Sequence, residues 1–255
     1  MADLRLKDYQ QLVLDKLRDY FRRCSQFSSA STAFYHLTQR PYTEIAELPG
    51  LPYVCLRLPT GAGKTFVACH ALPIAARELL QTERSLALWL VPSNAIREQT
   101  LKALKDRQHP YRRALDSLLG NVAVLDVGEA LYLTRPTLDT GSVVIVSTIQ
   151  AFRVEDTEGR KVYETNGALM DHFSGYEAAA LAGLETYENG TIKYSLANVL
   201  RLRRPIILVD EAHNARTQLS FDTLARFDPA CIIELTATPD TEMSPSNVLH
   251  QVSAA

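Results

Sequence analysis

Short runs of apolar and β-branched residues recur along the chain, and several of them are continuous rather than alternating. The runs lie at residues 53–58, 86–91, 122–125, 143–146, 206–209 and 231–235. Continuous apolar runs are typical of strands that are buried on both faces of a sheet. The pattern therefore predicts a sheet whose two faces are both covered.

Helical patterns separate most of these runs. Segments 65–80, 95–105 and 111–119 follow the first two predicted strands, and segment 219–226 precedes the last one. This alternation predicts an α/β fold with a parallel sheet, right-handed crossovers and flanking helices. Pro73 lies inside the first helical pattern, so we expect a kink or a new start there.

A helix is also predicted ahead of the first strand. Its apolar face is formed by Tyr9, Val13, Leu17, Tyr20 and Phe21, and its polar face by Asp15, Arg18 and Asp19. A helix with one apolar face is expected to dock on a core. We therefore divide the chain into an N-terminal helix and lead-in at residues 1–48 and an α/β domain at residues 49–255.

Residues 153–198 depart from the alternation of strands and helices. Residues 155–160 form a polar stretch typical of a hairpin tip, and Asn189-Gly190 is a strong turn signal. We interpret the segment as an insertion of hairpins with a short helix at residues 177–184.

Composition and charge narrow the class of protein. With 255 residues and 46% hydrophobic content, the chain is long enough for one α/β domain with an insertion. Its apolar runs fall short of the roughly 18 residues of a membrane span, so we expect a cytoplasmic protein without a membrane partner. A net charge of −2 lacks the basic excess of a dedicated DNA-binding module, although a motor that grips a strand in a local groove needs no such excess.

The cysteines do not indicate a metal centre. Cys24, Cys55, Cys69 and Cys231 are scattered without the close pairs of a zinc site. Three of them lie in apolar stretches, where cysteine acts as a small hydrophobe.

The strongest chemical signal follows the first predicted strand. It reads Leu58-Pro59-Thr60-Gly61-Ala62-Gly63-Lys64-Thr65 and runs into a predicted helix. Glycines let backbone N–H groups approach phosphate oxygens, the helix N-terminus favours negative charge, Lys64 adds a cation and Thr65 offers a hydroxyl to Mg²⁺. The segment predicts a P-loop, although Leu58 occupies the first glycine position of the general pattern. The competing interpretation is a glycine-rich turn with an exposed lysine.

Two carboxylates follow the fifth predicted strand, in the sequence Asp210-Glu211-Ala212-His213. Ligands of open α/β sheets bind at the carboxyl ends of the strands. Asp210 is therefore suited to hold Mg²⁺, and Glu211 to orient and deprotonate a water molecule. The competing interpretation is a pair of solvated acids that cap the next helix.

A third element, Thr236-Ala237-Thr238, follows the sixth predicted strand and places two hydroxyls at the same edge. A threonine-rich turn before a proline is by itself ordinary. Its position after the other two motifs gives it weight.

In this order, the three motifs resemble motifs I, II and III of the superfamily 2 helicases of the DEAD/DEAH-box type. Residues 4–10 resemble the family's Q-type adenine motif, residues 90–94 are similar to motif Ia, and residues 146–150 are similar to motif Ib. The wording of motifs II and III is most similar to the Res subunits of type III restriction enzymes. The resemblance covers almost the whole chain except the insertion, and it implies a RecA-like P-loop ATPase domain.

The resemblance also implies roles for individual residues in hydrolysing ATP with Mg²⁺ to drive movement on DNA. The nucleotide contacts would come from Gln10 and from Pro59, Thr60, Gly61, Ala62, Gly63, Lys64 and Thr65. The catalytic residues would be Lys64, Asp210, Glu211 and His213, with Thr65 and Asp210 on the metal and with Thr236 and Thr238 coupling the site to movement. The strand contacts would come from Pro92, Ser93, Thr148 and Gln150.

Simpler interpretations remain open for several of these side chains. The Gln10 amide has the donor and the acceptor that an adenine edge requires, whereas Tyr9 fits the core better than a stacking role. His213 competes with a plain helix-start residue, and each of the four strand contacts competes with an ordinary polar loop residue. The cluster Arg201, Arg203, Arg204 is interpreted as a solvated end ahead of a strand.

The family carries a second RecA-like domain with motifs IV to VI and arginine fingers, which this sequence lacks. We therefore expect the chain to be the first domain of a larger motor. Its partners would be nucleic acid, the second RecA-like domain and a nuclease or methyltransferase. The alternatives are a P-loop ATPase without a nucleic-acid role, such as a transporter ATPase or a kinase, and a nucleotide-gated scaffold.

Overall fold

A computed structural model describes residues 4–152, 161–210, 218–240 and 246–252, with only the backbone of residues 218–220. Its strands are β1 (Tyr53–Arg57), β2 (Leu86–Val91), β3 (Val122–Leu125), β4 (Ser142–Thr148), β5 (Ile206–Asp210), β6 (Cys231–Thr236) and β7 (Val248–Gln251). They form one sheet in the order β3-β4-β2-β5-β6-β1-β7. Every neighbouring pair is parallel, which confirms the predicted parallel sheet.

Helices cover both faces of the sheet. They are α1 (Asp8–Phe27), α2 (Ala30–Thr38), α3 (Lys64–Ile74), α4 (Asn94–Lys105), α5 (Pro110–Leu119), α6 (Val127–Ala130), α7 (Arg135–Thr140), α8 (Ala178–Leu181), α9 (Leu196–Arg203) and α10 (Gln218–Ala225). Two 3₁₀ segments lie at Ile149–Phe152 and Gly167–Phe173. One hydrophobic core lies on each face: Leu56 and Leu208 belong to the first, Leu88 and Ile207 to the second.

The N-terminal helix docks on the first core, as its apolar face predicts. Val13, Leu17, Tyr20 and Phe21 are fully buried. On the other face, Arg18 is only partly exposed, and its guanidinium lies 3.7 Å from the Glu78 carboxylate. The docked helix places its first turn beside the loop that follows β1.

The helix that follows β1 changes character where the sequence predicts a break. The α-helix α3 ends at Ile74, directly after Pro73, and the chain continues as a π-helical turn at Ala75–Leu79. The wider turn is closed by a hydrogen bond from the Leu80 N–H to the Ala75 carbonyl at 3.2 Å. The expected kink is therefore a change of hydrogen-bonding pattern within one continuous segment.

The insertion is built as a small hairpin and short helical pieces. The Tyr187 N–H donates to the Thr191 carbonyl at 2.8 Å, and Gly190 has a φ of 80°, which confirms the turn predicted at Asn189-Gly190. The Asn198 side chain accepts from the Glu185 N–H and donates to the Glu185 and Lys193 carbonyls. The predicted short helix is present as the single turn α8, and the predicted polar tip at residues 155–160 lies outside the described residues.

The arginine cluster ahead of β5 differs from the solvated end expected from the sequence. Arg201 and Arg203 belong to α9, and Arg204 follows it as the C-cap. Arg203 pairs with Asp139 at 2.8 Å, and its side chain is 20% exposed. Arg201 donates to the Arg226 carbonyl at 3.2 Å. Arg201 and Arg203 therefore fasten α9 to its neighbours, whereas the Arg204 side chain is 60% exposed, as the sequence predicts.

The four cysteines, Cys24, Cys55, Cys69 and Cys231, are buried and carry free thiols. Burial raises the pKa of the Cys24 thiol to about 12, so this thiol stays protonated and packs as an apolar group. Within the described residues, no helix is both long and apolar enough to cross a bilayer.

The docking of α1 predicts a contrast between two leucines of that helix. Leu17 is fully buried, whereas Leu12 is 48% exposed. Leu17→Ala is expected to lower the free energy of unfolding by about 2–5 kcal/mol, because it leaves a cavity in the core. The control Leu12→Ala is expected to change it by less than about 0.5 kcal/mol. Urea denaturation measures both, and equal effects would show that α1 is not docked as described.

Candidate functional site

The loop between β1 and α3 has the backbone geometry of a phosphate cradle. Gly61 and Gly63 have φ angles of 80° and 76°, a left-handed conformation that glycine adopts without strain. Gly63 is the N-cap of α3, and its carbonyl accepts from the Phe66 and Val67 N–H groups. The chain thus turns sharply, and Lys64 and Thr65 begin the helix.

Leu58 occupies the first glycine position of the P-loop pattern because that position belongs to the core here. The side chain is fully buried, and the backbone N–H donates to the Thr236 carbonyl at 3.0 Å. Position 58 therefore extends the pairing of β1 with β6 by one residue. The left-handed turns that the loop needs are supplied by the two later glycines.

The first turn of α1 supports the same loop from the other side. The Gln10 amide Nε2 donates to the Ala62 carbonyl at 2.8 Å, and the Tyr9 hydroxyl donates to the same carbonyl at 3.1 Å. The Gln10 Oε1 accepts from the Lys7 N–H at 2.9 Å, and the residue is 5% exposed. Gln10 therefore lies directly behind the P-loop. Tyr9 is partly buried against the first core, close to the role that the sequence predicts.

The motif residues on β5 and β6 meet the P-loop at the carboxyl edge of the sheet. Asp210 pairs in register with Leu235 of β6, and Arg57 of β1 pairs with Thr236. Since neighbouring strands lie about 4.8 Å apart, Asp210 and the end of β1 are separated by roughly 10 Å. Thr236 is buried, and its hydroxyl accepts from the Thr238 N–H at 3.2 Å, so the third motif is held as a tight turn between the other two.

Thr65 and Asp210 line one cleft of about 380 Å³. The opposite wall is formed by α4 and by the segment leading into α5, through Ile96, Gln99, Thr100, Lys102, Ala103, Asp106, His109 and Tyr111. Tyr111 stacks on Phe66 with ring centroids 6.0 Å apart. The local sequence does not predict this wall, because its residues belong to α4 and to the start of α5, which come together beside the site only in the folded protein.

Burial controls the charge of one histidine on the helix that follows the loop. The His70 ring, on α3, packs against the Phe66 ring at 4.6 Å, and burial lowers the pKa of His70. The imidazole is therefore neutral at pH 7.

The residues present fit a hydrated Mg²⁺ bound with nucleotide phosphates. A threonine hydroxyl and an aspartate carboxylate are hard oxygen donors of the type that Mg²⁺ prefers, and both residues line the same cleft. Gly63 is the most confined part of the cradle: a Cβ at this position would lie 2.7 Å from the Gln10 Nε2. Glu211 and His213 lie outside the described residues.

The predicted strand contacts lie on the neighbouring part of the same edge. Val91 at the end of β2 pairs in register with Thr148 at the end of β4, so Pro92 and Ser93 leave the sheet at the same edge as Gln150. Ser93 is exposed, and its hydroxyl caps α4 by accepting from the Ile96 N–H at 3.4 Å. Gln150 is exposed as well, whereas Thr148 is only 5% exposed and faces the interior.

Comparison with known proteins gives one family match. A family model described as the res subunit of type III restriction enzymes matches residues 3–241. No curated protein sequence matches the chain.

Solved structures share the fold. The chain is similar to a nuclease-deletion mutant of the type ISP restriction-modification enzyme LlaGI in complex with a DNA substrate mimic, with 15% identity and a TM-score of 0.51. The match covers 98% of this chain and 20% of that one, so the chain spans about a fifth of its length. The likeness agrees with the RecA-like parallel sheet flanked by helices that the sequence predicts.

Two structures of UvsW from bacteriophage T4, described in one case as a helicase, are also similar. The identity is 14% in both. The TM-scores are 0.38 and 0.36, with 92% of this chain covered in each case and 43% and 75% of the UvsW chains.

The geometry of the cradle predicts an effect of Gly63→Ala that a second glycine can control. Gly61 has a similar φ of 80°, but no neighbouring atom lies within 4 Å of the place that an alanine methyl group would take there. Both alanine variants should lose about 1–2 kcal/mol from left-handed strain. Gly63→Ala should lose at least about 1 kcal/mol more, because it displaces the buried Gln10 hydrogen bond.

Thermal unfolding of each variant, with and without Gln10→Ala, measures this coupling. In the Gln10→Ala background the extra cost of Gly63→Ala is expected to vanish. An extra cost that persists there would mean that Gln10 does not support the loop.

Proposed function

The chain belongs to the res-subunit family of type III restriction enzymes, and from that membership we propose that it is the ATP-binding half of a DNA translocase of superfamily 2. In this proposal, ATP hydrolysis drives movement on DNA in the cytoplasm. The single observation that carries the proposal is the cleft at the carboxyl edge that Thr65 and Asp210 share. A P-loop hydroxyl and a strand-end aspartate that share one cleft correspond to the Mg²⁺ ligands of P-loop nucleotide hydrolases.

The P-loop residues bind and orient the triphosphate. Backbone N–H groups of the Pro59-to-Gly63 turn and the N-terminus of α3 face the phosphates, and Lys64 adds a charge-assisted contact. Gln10 supports the loop through the Ala62 carbonyl. A base bound beside α1 would therefore lie next to a residue that holds the P-loop in place. The preference for an adenine nucleotide rests on the resemblance of residues 4–10 to an adenine motif, since the Gln10 amide is already bonded to the Lys7 N–H and the Ala62 carbonyl.

The acidic residues carry the hydrolysis. Thr65 and Asp210 would hold Mg²⁺, which supplies charge neutralisation for the phosphates when it is bound. Glu211 follows Asp210 directly and would orient the attacking water and accept its proton. His213, Thr236 and Thr238 would link this site to the rest of the motor, because Thr236 lies on the strand between Asp210 and the P-loop.

The neighbouring part of the edge would contact one strand of the nucleic acid. Ser93 begins α4 and is exposed, and a helix N-terminus favours a backbone phosphate. Pro92 and Gln150 follow the ends of β2 and β4 on the same edge, and the buried Thr148 would support them from within the strand end. A local contact of this kind agrees with a net charge of −2, since a groove needs positive potential only where it touches the strand.

The complete catalytic site would include a second RecA-like domain. Negative charge spreads over the γ-phosphate oxygens during transfer, and an arginine finger contributes about 10³–10⁵ in rate. We propose that this arginine comes from that second domain, and that a nuclease or methyltransferase completes the assembly. The alternatives of a P-loop ATPase without nucleic acid, or of a nucleotide-gated scaffold, are decided by the two experiments below.

Lys64→Ala is expected to weaken Mg²⁺-ATP binding about ten- to a hundred-fold, because it removes a charge-assisted hydrogen bond worth roughly 1.5–3 kcal/mol. Isothermal titration calorimetry measures the affinity. Lys105→Ala is the matched control, since Lys105 pairs with Glu129 at 2.6 Å and lies outside the P-loop. An unchanged affinity in Lys64→Ala would overturn the assignment of the phosphate site.

The 255-residue chain is expected to bind Mg²⁺-ATP but to hydrolyse it slowly and without stimulation by DNA. The complete natural protein is expected to turn over at least about a hundred-fold faster in the presence of DNA, a cautious reading of the arginine-finger range. Phosphate release is measured with duplex DNA, single-stranded DNA and RNA. Glu211→Gln should abolish turnover while it preserves binding.

The controls separate the alternatives. Hydrolysis that ignores every nucleic acid would favour a P-loop ATPase of another kind. Binding without hydrolysis in the complete protein would favour a scaffold.

A further inference from the structure

The insertion contacts one element of the proposed nucleic-acid region and one element that lies between the proposed ATPase residues along the chain. One is the 3₁₀ segment Ile149–Phe152, which directly follows Thr148 and contains Gln150. The other is the end of α10, the helix that follows the Asp210-Glu211 pair along the chain. The connection runs through Tyr163 and Arg226.

Tyr163 is the first link. Its hydroxyl donates to the Phe152 carbonyl at 2.7 Å in a buried contact, and its side chain is almost fully enclosed. The hydrogen bond fixes the backbone of the 3₁₀ segment two residues after Gln150. A tyrosine from the insertion therefore holds the proposed strand-contact segment in place.

Arg226 is the second link. Its guanidinium carbon lies 3.7 Å from the centre of the Tyr163 ring, a close cation–π stack. The Arg226 Nε donates to the Glu185 Oε1 at 3.0 Å, and Nη2 donates to the same oxygen. The charge of Arg226 is thus neutralised by the insertion hairpin while its flat face covers the tyrosine.

The same junction is closed by apolar packing and by a second arginine. The Phe152 and Phe227 rings are both buried and meet edge to face at 5.2 Å. Arg201 of α9 donates to the Arg226 carbonyl at 3.2 Å, just beyond the C-terminus of α10. The strand-contact segment and the end of α10 are therefore packed as one unit, and Cys231 begins β6 only four residues after Phe227.

We propose that Tyr163 and Arg226 are positioning residues that couple nucleic-acid contact at Gln150 to the ATPase site. A shift of the Ile149–Phe152 segment would move the Tyr163 ring, which carries Arg226 and the end of α10 with it. The chain beyond Arg226 leads through β6 to Thr236. The inference rests on the proposed function, because it needs a nucleic acid that acts on ATP hydrolysis.

The chemistry of the junction favours coupling over simple stability. A partly exposed arginine–carboxylate pair contributes little to stability by itself, yet the planar guanidinium fixes the relative orientation of a ring and a carboxylate. Energetic coupling between two sites requires an element whose arrangement both sites bias, and the proposal assigns that role to this junction.

Tyr163→Phe in the complete natural protein tests the first link. It removes the hydrogen bond to Phe152 and leaves the ring under Arg226. The factor by which duplex DNA raises kcat is expected to fall roughly two- to thirty-fold, the range seen for mutations along coupled networks. The unstimulated rate and the KM for ATP are expected to stay unchanged.

Tyr187→Phe is the matched control. It also removes a tyrosine hydroxyl from the insertion, where that hydroxyl donates to the Thr165 side chain at 2.7 Å, but it reaches neither Phe152 nor α10. The DNA stimulation factor of this variant is expected to equal that of the natural protein. Equal loss of stimulation in both variants, or a loss in Tyr163→Phe that is matched by a loss of the unstimulated rate, would overturn the proposal.

Arg226→Lys tests the second link independently and serves if Tyr163→Phe does not fold. Lysine keeps the positive charge beside Glu185 and loses the flat stack on Tyr163, so stimulation is expected to fall while thermal unfolding shifts little. A natural protein that DNA does not stimulate would overturn the proposed function and this inference together. Stimulation that is present in the natural protein and unchanged in Tyr163→Phe and Arg226→Lys would overturn the inference alone.

Discussion

Strand β6 is hydrogen-bonded on both sides, and the geometry of the nucleotide edge depends on that double pairing. It sets Leu235 beside Leu56 of β1 and beside Asp210 of β5. A slip of one residue in either ladder would turn the affected side chains to the opposite face. Asp210 would then leave the cleft that it shares with Thr65. The relative positions of the phosphate cradle and the acidic strand are therefore set by backbone pairing, before any ligand is bound.

The pairing of β1 with β6 also explains why Leu58 stands where the general P-loop pattern has its first glycine. Its N–H continues the ladder to Thr236, so the backbone is still a strand where the general P-loop pattern already has a glycine. The turn is then compressed into the residues from Pro59 to Gly63. The Ala62 carbonyl lies within this turn and accepts hydrogen bonds from the Tyr9 hydroxyl and the Gln10 amide. These bonds tie the loop to α1, whose residue Gln10 lies 52 positions earlier in the chain.

The parts of the fold that can be predicted are those encoded by neighbouring residues. Strands Leu86–Val91 and Val122–Leu125 have the bounds that their apolar runs indicate, and the P-loop is a single uninterrupted motif. Strand Val248–Gln251 escapes prediction, because it pairs on one side only and contains His250 and Gln251. Helix Leu196–Arg203 is not predicted either, since a helix of two short turns that ends in arginines shows no clear helical periodicity of apolar residues.

The candidate site divides in the same way. The motif residues can be found in the sequence because their spacing is local, whereas the cleft wall with His109 and Tyr111 is a tertiary feature. The burial of Thr148 is also tertiary: the sequence predicts a polar contact at the end of β4, but the side chain faces inward there. Polar residues at a strand end alternate between the two faces, so only the register decides which one reaches solvent.

The two ligand regions assigned by the proposed function lie side by side on one edge, with β1, β6 and β5 on one side and β2 and β4 on the other. A close-packed sheet with both faces buried has low compressibility, so its strands shift little relative to one another. The proposed coupling therefore uses the connections that leave the edge. The segment Ile149–Phe152 leaves β4, and helix Gln218–Ala225 precedes β6. Phe152 and Arg226, which follows that helix, both contact Tyr163 of the insertion. The insertion, which departs from the regular alternation of strands and helices, thus lies between the two connections that the proposed coupling uses.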